Sequence, residues 1–402
     1  MPALPQLLEA LAARASRQMV LGLDATRAAL ARLGDPQRAL EVVHIAGTNG
    51  KGSTSAMVEC IARRAGLRTG LYTSPHLCRF AERIRLDGAP IDDDAFAAAL
   101  ERALTAGPAL TFFETLTVAG FEAFARARVE LAVLEVGLGG RLDATNVVDA
   151  PRCTAVTGIA LDHVKILGGD LASIAREKAG IFKRGAPVVL GPLAPEARAA
   201  ILEVAVAMGA APVVDAPPAP AAMPIGLPGA HQRRNAGVAG AVARVLAARW
   251  PAMAGAIEPG LAAVRWPGRL DIEGTRVVLD CAHNAEAAEA LAAALPQMGL
   301  QPAQTCLLYG ALADKPWAEM LARIAPLAAR RVYTEPAGRS PAPLAELARI
   351  ADGETIADPS RALAHALAAA RGGALLITGS SYLVGALRGV LVGERCDPVI
   401  AL

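Results

Sequence analysis

Val42-Val43-His44-Ile45-Ala46-Gly47-Thr48-Asn49-Gly50-Lys51-Gly52-Ser53-Thr54 is the stretch on which the fold of this chain turns. An apolar, β-branched run leads into a glycine-rich loop, then a lysine, then two hydroxyls. Ser55 to Arg64 has helical character and stops at Gly66. Strand, loop and helix N-terminus together make an anion site, because loop N–H groups and the positive helix end point at one phosphate. Lys51 can reach outer phosphates, and Ser53 or Thr54 can reach a metal ion. The spacing departs from the Walker pattern G-x-x-x-x-G-K-[ST]: Ile45 stands where the first glycine belongs, and the loop reads G-x-x-G-K-x-S. A plain strand-to-helix turn also uses glycines, but the flanking elements are those a phosphate site requires.

Outward from this loop, apolar β-branched runs alternate with helical segments. The predicted strands are 42–46, 68–72, 131–136, 153–159, 187–190, 277–279, 306–309, 331–334 and 374–378. The predicted helices include 5–17, 53–64, 92–104, 114–128, 171–179, 231–250, 286–294, 317–325 and 359–370. Such alternation implies α/β architecture, with parallel-rich sheets covered by helices on both faces. The Pro- and Ala-rich segment Ala211–Pro228 reads as an irregular excursion. A break at Trp266-Pro267-Gly268-Arg269 precedes a fresh strand–helix alternation. The expected division is a domain over 1–270 and a smaller one over 271–402.

Composition narrows the function classes. The chain has 402 residues, 53% of them apolar and 3% aromatic, with a net charge of +2. A near-neutral balance without a long basic run argues against nucleic acid or an anionic membrane as partner. The weakly charged stretch from Val204 to Ala230 carries six prolines and cannot form a continuous spanning helix. Six cysteines, none in C-x-x-C spacing, indicate neither a disulfide framework nor a zinc site. Reduced thiols and a cytoplasmic location are expected. The N-terminus lacks the apolar core of a secretory signal and reads as a docked first helix.

Five further clusters can carry chemistry. Thr73-Ser74-Pro75-His76 follows a strand; Ser-Pro there is ordinarily a turn, yet ligands bind at this edge of open α/β sheets. Glu135 lies in an otherwise apolar strand. A buried carboxylate needs a partner, and Mg²⁺ near a phosphate loop would supply it; a solvent-facing edge position is the alternative. The Gly137-Leu138-Gly139-Gly140 loop after it allows close backbone approach. His163, after Asp162, is either a structural residue or a metal ligand. Lys178, in Arg176-Glu177-Lys178-Ala179-Gly180, closes a helix and by itself reads as a solvated cation. Finally, His231-Gln232-Arg233-Arg234-Asn235, Arg269 and Asp280-Cys281-Ala282-His283-Asn284 place polar groups at element ends, as nucleotide recognition requires, although Asp at a strand end often caps the next helix.

In this order, these motifs resemble the folate branch of the Mur ligase family, the folylpolyglutamate and dihydrofolate synthases. The resemblance runs from about residue 21 to 284 through Gly47–Ser53, Thr73–His76, Glu82-Arg83-Ile84, Phe113-Glu114, Glu135–Asn146, Leu161-Asp162-His163, Arg176–Gly180, Pro267–Arg269 and Asp280–Asn284. It continues more loosely through Asp314-Lys315 and Thr378-Gly379-Ser380. It implies a P-loop Mur-ligase-like ATPase domain with a parallel-rich sheet, followed by a smaller Rossmann-like glutamate-ligase domain. Thr48, Asn49, Gly50, Lys51, Gly52 and Ser53 would hold the ATP phosphates. Ser74, Glu135 and His163 look like Mg²⁺ ligands, displacing Ser53 from that duty. Lys178 matches the lysine the family carbamylates, which can help hold a second Mg²⁺. Asn235, Arg269 and Asp280 look like adenosine contacts, with His283 near the phosphates. Leu21-Gly22-Leu23-Asp24, Thr111-Phe112-Phe113-Glu114 and Leu142-Asp143-Ala144 look like the pterin pocket, where Phe113 offers a ring to stack on. Val164-Lys165 after Leu-Asp-His departs from the family pattern.

The implied reaction joins L-glutamate to dihydropteroate or to the glutamate tail of folates, using ATP and an acyl phosphate, in a monomer. A monofunctional folylpolyglutamate synthase is the alternative; the Leu142-Asp143-Ala144 form favours the bifunctional bacterial type. A cell-wall amino-acid ligase would need a further N-terminal domain ahead of the Gly47 loop. A GTPase-type switch would carry an N-K-x-D motif, which is missing. A dead paralogue would be expected to have lost Lys51, Glu135 or His163.

Overall fold

The computed structural model describes residues 3–15, 22–274 and 276–400. The chain forms two compact units. The first comprises Met1–Pro75, Ala81–Gly226 and Gln232–Val264; the second comprises His76–Phe80, Leu227–His231 and Arg265–Leu402.

The first unit is built on eight strands: β1 (Val42–Ala46), β2 (Thr69–Tyr72), β3 (Ile84–Leu86), β4 (Ala89–Pro90), β5 (Leu131–Glu135), β6 (Cys153–Val156), β7 (Val188–Leu190) and β8 (Val213–Asp215). Their order is β4-β3-β2-β5-β1-β6-β7-β8. β2, β5, β1, β6, β7 and β8 run parallel, while β3 and β4 turn back antiparallel at one edge. β1 is central and wholly buried, which is why it reads as an unbroken apolar run. It pairs with β5 on one side and β6 on the other, and the sequence order of the strands changes direction across it. Open α/β sheets place their ligand crevice at the carboxyl ends of strands at such a point. The helix Lys51–Arg64 packs on β1, β2 and β5, and every residue from Gly52 to Ala62 is buried. That explains its apolar and small-residue content.

The second unit holds β9 (Arg269–Glu273), β10 (Val277–Asp280), β11 (Thr305–Tyr309), β12 (Arg330–Tyr333), β13 (Glu354–Thr355) and β14 (Ala374–Thr378), ordered β13-β12-β11-β14-β10-β9. Only β9 is antiparallel to its neighbour. Alternate residues of β11 face opposite cores: Leu307 and Tyr309 join one buried cluster, Cys306 and Leu308 the other.

All nine predicted strands and nine predicted helices are present; 42–46, 374–378 and 171–179 keep both ends, the others shift at one end or both, and residues 16–17 of the expected first helix lie outside the described residues. The expected strand 153–159 ends at Val156, because residues beyond it turn toward the Gly47 loop. The irregular excursion 211–228 contains β8, a correction. β3, β4, β9 and β13 were also not anticipated; β4 and β13 are two exposed residues each and carry no apolar alternation. Among the described residues no helix is long and apolar enough to cross a membrane.

The expectation of unpaired cysteines is corrected at one pair. Cys78 and Cys396 form a disulfide within the second unit, 318 residues apart in sequence. Gly389 makes room for it, since a Cβ there would overlap Cys396 Sγ. Around it, Asp397 N–H donates to the Cys78 carbonyl (2.9 Å), and Phe80 N–H donates to Asp397 Oδ2 (2.6 Å). In the chain-entropy picture a loop this long contributes about 6 kcal/mol. Oxidised wild-type protein should therefore melt several degrees above Cys396→Ser, and a thiol reductant should bring the two together. Identical melting of wild type with and without reductant would count against the bond.

Candidate active site

Every candidate site residue described in the first unit beyond residue 40, apart from those at 111–114 and Lys178 and Asn235, stands at or after the carboxyl end of β1, β2, β5 or β6. The loop after β1 is bent by Gly47 (φ 151°) and Gly50 (φ 85°). Both need glycine twice over: a Cβ at Gly47 would overlap Thr157 Oγ1, and one at Gly50 would overlap Asn235 Oδ1. Thr157 Oγ1 donates to the Asn49 carbonyl (2.7 Å) and braces the loop from β6. Thr48 N–H donates to the Gly158 carbonyl (2.8 Å), and Thr48 Oγ1 accepts from Ala160 N–H (3.0 Å).

Lys51 opens the helix. Its Nζ donates to the carbonyls of Gly47 (3.0 Å) and Thr48 (3.1 Å). Lys178, buried at the end of the helix Leu171–Ala179, donates to the same Gly47 carbonyl at 2.8 Å. Burial pushes the Lys178 amine down to about 7, with the Lys51 charge pushing the same way and Asp162 and Asp143 opposing. Two amines thus converge on one carbonyl beside a helix N-terminus, a place that favours an anion. Lys178 is thus a buried amine and not the solvated cation its local sequence suggests.

Ser53 is buried, and its Oγ accepts from Gln232 Nε2 at 3.3 Å; Gln232 Oε1 accepts from Asn235 Nδ2 at 2.9 Å. This couples the helix Ala230–Leu246 to the phosphate loop. Sequence alone gives Thr157 no place in the site and sets Gln232 in the His231–Asn235 cluster without its contact to Ser53, because a lone polar residue at an element end carries no signal of the loop that packs over it.

Glu135 ends β5 and is buried, and its Oε2 accepts Ser74 N–H at 3.1 Å. The expected pair Ser74 and Glu135 therefore lies together. A hydroxyl and a buried carboxylate are hard oxygen donors of the kind Mg²⁺ selects. His163 is exposed, in left-handed backbone (φ 49°), with Nε2 3.8 Å from Asp162 Oδ1.

On the acceptor side, Thr111 and Glu114 form a capping box: Thr111 N–H donates to Glu114 Oε2 (2.8 Å), and Glu114 N–H donates to Thr111 Oγ1 (3.4 Å). Phe112 is buried under the Arg83 guanidinium, 5.2 Å from its ring centre. Phe113 is half-buried, edge-on to Tyr72 and against Gly137. Asp143 is buried and accepts four hydrogen bonds, from Gly137 N–H, Leu138 N–H, Thr145 N–H and Thr145 Oγ1. Burial pushes its carboxyl upward and these donors oppose that. Leu142 is half-buried and Ala144 buried beside it. Gly22 and Leu23 lead into the exposed Asp24 at the start of a helix; Leu21 and the Lys165 side chain lie outside the described residues.

Within the second unit, Arg269 and Asp280 pair across β9 and β10 at a bulge. Asp280 is buried, with Oδ2 accepting Leu270 N–H (3.0 Å) and Oδ1 accepting Ala282 N–H (2.9 Å). Burial raises its carboxyl and Arg269 opposes. His283 Nδ1 lies 2.9 Å from the Cys281 carbonyl, which can only accept, so Nδ1 carries the proton. Asn284 caps the helix Ala285–Gln297.

Residues 268–381 match the family model described as Mur ligase, glutamate ligase domain. Folylpolyglutamate synthase of Lacticaseibacillus casei is 37% identical over 400 residues, 90% of this chain and 92% of that protein. Dihydrofolate synthase/folylpolyglutamate synthase of Bacillus subtilis is 36% identical over 348 residues, 76% of this chain and 79% of that protein. Among solved structures, E. coli FolC in complex with DHPP and ADP superposes with a TM-score of 0.83 at 31% identity, covering 98% of each chain.

Proposed function

This chain belongs to the folylpolyglutamate and dihydrofolate synthases of the Mur ligase family, ATP-dependent enzymes that ligate L-glutamate, and on that premise we propose that it accepts both dihydropteroate and folates already bearing glutamate. The convergence of Lys51 and Lys178 on the Gly47 carbonyl, at a helix N-terminus, is the observation that carries the assignment of the phosphate site. The Leu142-Asp143-Ala144 form and the likeness to FolC bound to DHPP support dihydropteroate as one acceptor. Likeness to the L. casei enzyme favours the narrower reading, a monofunctional folylpolyglutamate synthase.

In this reading residues 1–270 bind ATP and the pterin, and residues 271–402 serve the incoming glutamate. The acceptor carboxylate attacks the γ-phosphate, giving an acyl phosphate and ADP. The glutamate amine then displaces phosphate from the acyl carbon, forming the amide. The protein supplies no nucleophile; Lys51 and the loop N–H groups that follow Thr48 stabilise charge on the transferred phosphoryl. Ser74, Glu135 and His163 would hold Mg²⁺, with Lys178 as its carbamate beside a second ion, and the metal would neutralise phosphate charge. Asn235, Arg269 and Asp280 would contact adenosine, with His283 near the phosphates, while Phe113 and Asp143 would face the pterin. ATP and glutamate as substrates support a cytoplasmic site of action, where Cys78 and Cys396 would meet reducing conditions.

The test is ADP release with ATP, L-glutamate and either dihydropteroate or tetrahydrofolate, with Lys51→Ala as control. Turnover with both acceptors is expected. Turnover with tetrahydrofolate alone leaves the monofunctional reading, and turnover with neither overturns the assignment.

A further inference from the structure

His44 sits in the middle of β1, fully buried, a polar ring in an otherwise apolar strand. Its Nε2 lies 2.8 Å from Thr145 Oγ1, while Nδ1 is buried without a hydrogen-bond partner. The protons along this chain can be placed. Asp143 accepts N–H bonds from Gly137 and Leu138 at Oδ2, and from Thr145 at Oδ1. As a carboxylate it can only accept, so the single Thr145 hydroxyl proton goes to Asp143 Oδ1. Thr145 Oγ1 must then accept from His44, whose Nε2 carries the proton. The bare Nδ1 follows from that tautomer. A buried polar nitrogen left unpaired costs stability, and an apolar residue at this core position would avoid that cost.

The far end of the relay is the loop that follows Glu135. Gly137 is pinned by Asp143 Oδ2 on one side and lies against Phe113 on the other: a Cβ on Gly137 would come within 2.5 Å of Phe113 Cζ. A shift of Asp143 therefore moves Gly137, and with it the seat of the Phe113 ring. We propose that His44 is a positioning residue for the acceptor: through Thr145 and Asp143 it fixes the Gly137–Leu138 loop and hence the aromatic surface offered to a flat heteroaromatic ring. This rests on the reading above that Phe113 faces the pterin.

The experiment compares wild type with His44→Leu, which fills the space without a donor, and His44→Gln, whose amide can place an N–H near Nε2. Thr145→Val and Thr145→Ser repeat the comparison one step along the relay and serve if His44→Leu fails to fold. The expected result is an acceptor KM about tenfold higher in His44→Leu and Thr145→Val, with the ATP KM within about twofold of wild type. His44→Gln and Thr145→Ser should recover most of the difference. Amide hydrogen exchange at Gly137 and Leu138, measured on the same proteins without substrate, should quicken at least tenfold in the broken relays and return in the conservative ones. Exchange at those amides that does not distinguish broken from conservative variants overturns the relay, whatever the activity. Altered exchange with acceptor and ATP KM rising together overturns the acceptor-specific role. A wild type that turns over no acceptor defeats the functional reading alone, since the exchange result still decides the relay.

Discussion

Lys51→Ala is expected to lower turnover roughly a hundred- to a thousandfold, the loss typical of removing one preorganised group from a site of developing negative charge. Lys51 is the first residue of its helix, and its ammonium bridges the carbonyls of Gly47 and Thr48. Those two carbonyls hold the amine in place before any phosphate arrives, so little reorganisation is needed when charge builds on the phosphoryl oxygens. Alanine keeps the helix, since it is the best helix former, and the loop retains its glycine-dictated bend and the brace from Thr157. The loss should thus fall on kcat and not on folding. Lys51→Arg should fail nearly as badly, because a planar guanidinium cannot replace a compact ammonium between two carbonyls. Steady-state ADP release with a thermal melt of each variant settles the matter. A loss below tenfold in Lys51→Ala would remove the lysine from the phosphoryl-transfer machinery.

Much of this site can be read from sequence where the chemistry is local. The apolar run 42–46, the glycines at 47 and 50 and the following helix are contiguous, so their mutual geometry follows from strand, turn and helix rules. Glu135 was legible for a related reason: a carboxylate inside an apolar strand announces an unmet electrostatic need, and the structure places it against Ser74 N–H. What stayed hidden depends on chain segments meeting from far apart. Thr157 and Gln232 brace the phosphate loop, yet each is one polar residue whose partner lies more than a hundred positions away. Ser53 reads from its motif as a metal-reaching hydroxyl, and nothing in that motif shows the hydrogen bond it accepts from Gln232. Cys78 and Cys396 show no spacing because their proximity is purely tertiary. Lys178 was the hardest: its neighbours in sequence suggest a solvated helix end, and only the packing of its helix beside the Gly47 loop buries it.

Lys178→Met is expected to cost activity at least a hundredfold and, separately, to flatten the dependence of stability on pH. The stability argument follows from proton binding. Burial and the neighbouring Lys51 charge hold the folded-state amine at about 7, against 10.5 when exposed. Between those values the unfolded chain keeps a proton that the folded chain has released. Stability therefore rises with pH across that window, by up to about 1.4 kcal/mol per pH unit for one group. Below about 7 both states are protonated and the group adds no further slope. Methionine fills similar volume without titrating, so urea unfolding of Lys178→Met at pH 7.5 and 9 should lack the increase that wild type shows. The activity argument uses the same equilibrium. A neutral amine can attack CO₂ at carbon, forming an N–C bond and releasing a proton, which yields the carbamate anion. An ammonium cannot. Wild-type enzyme stripped of CO₂ at low pH should therefore lose activity and regain it with added bicarbonate above pH 7, while Lys178→Met stays inactive under both conditions. Activity indifferent to bicarbonate would exclude the carbamate and leave Lys178 as a buried hydrogen-bond donor to Gly47. Full activity in Lys178→Met would remove it from the site altogether.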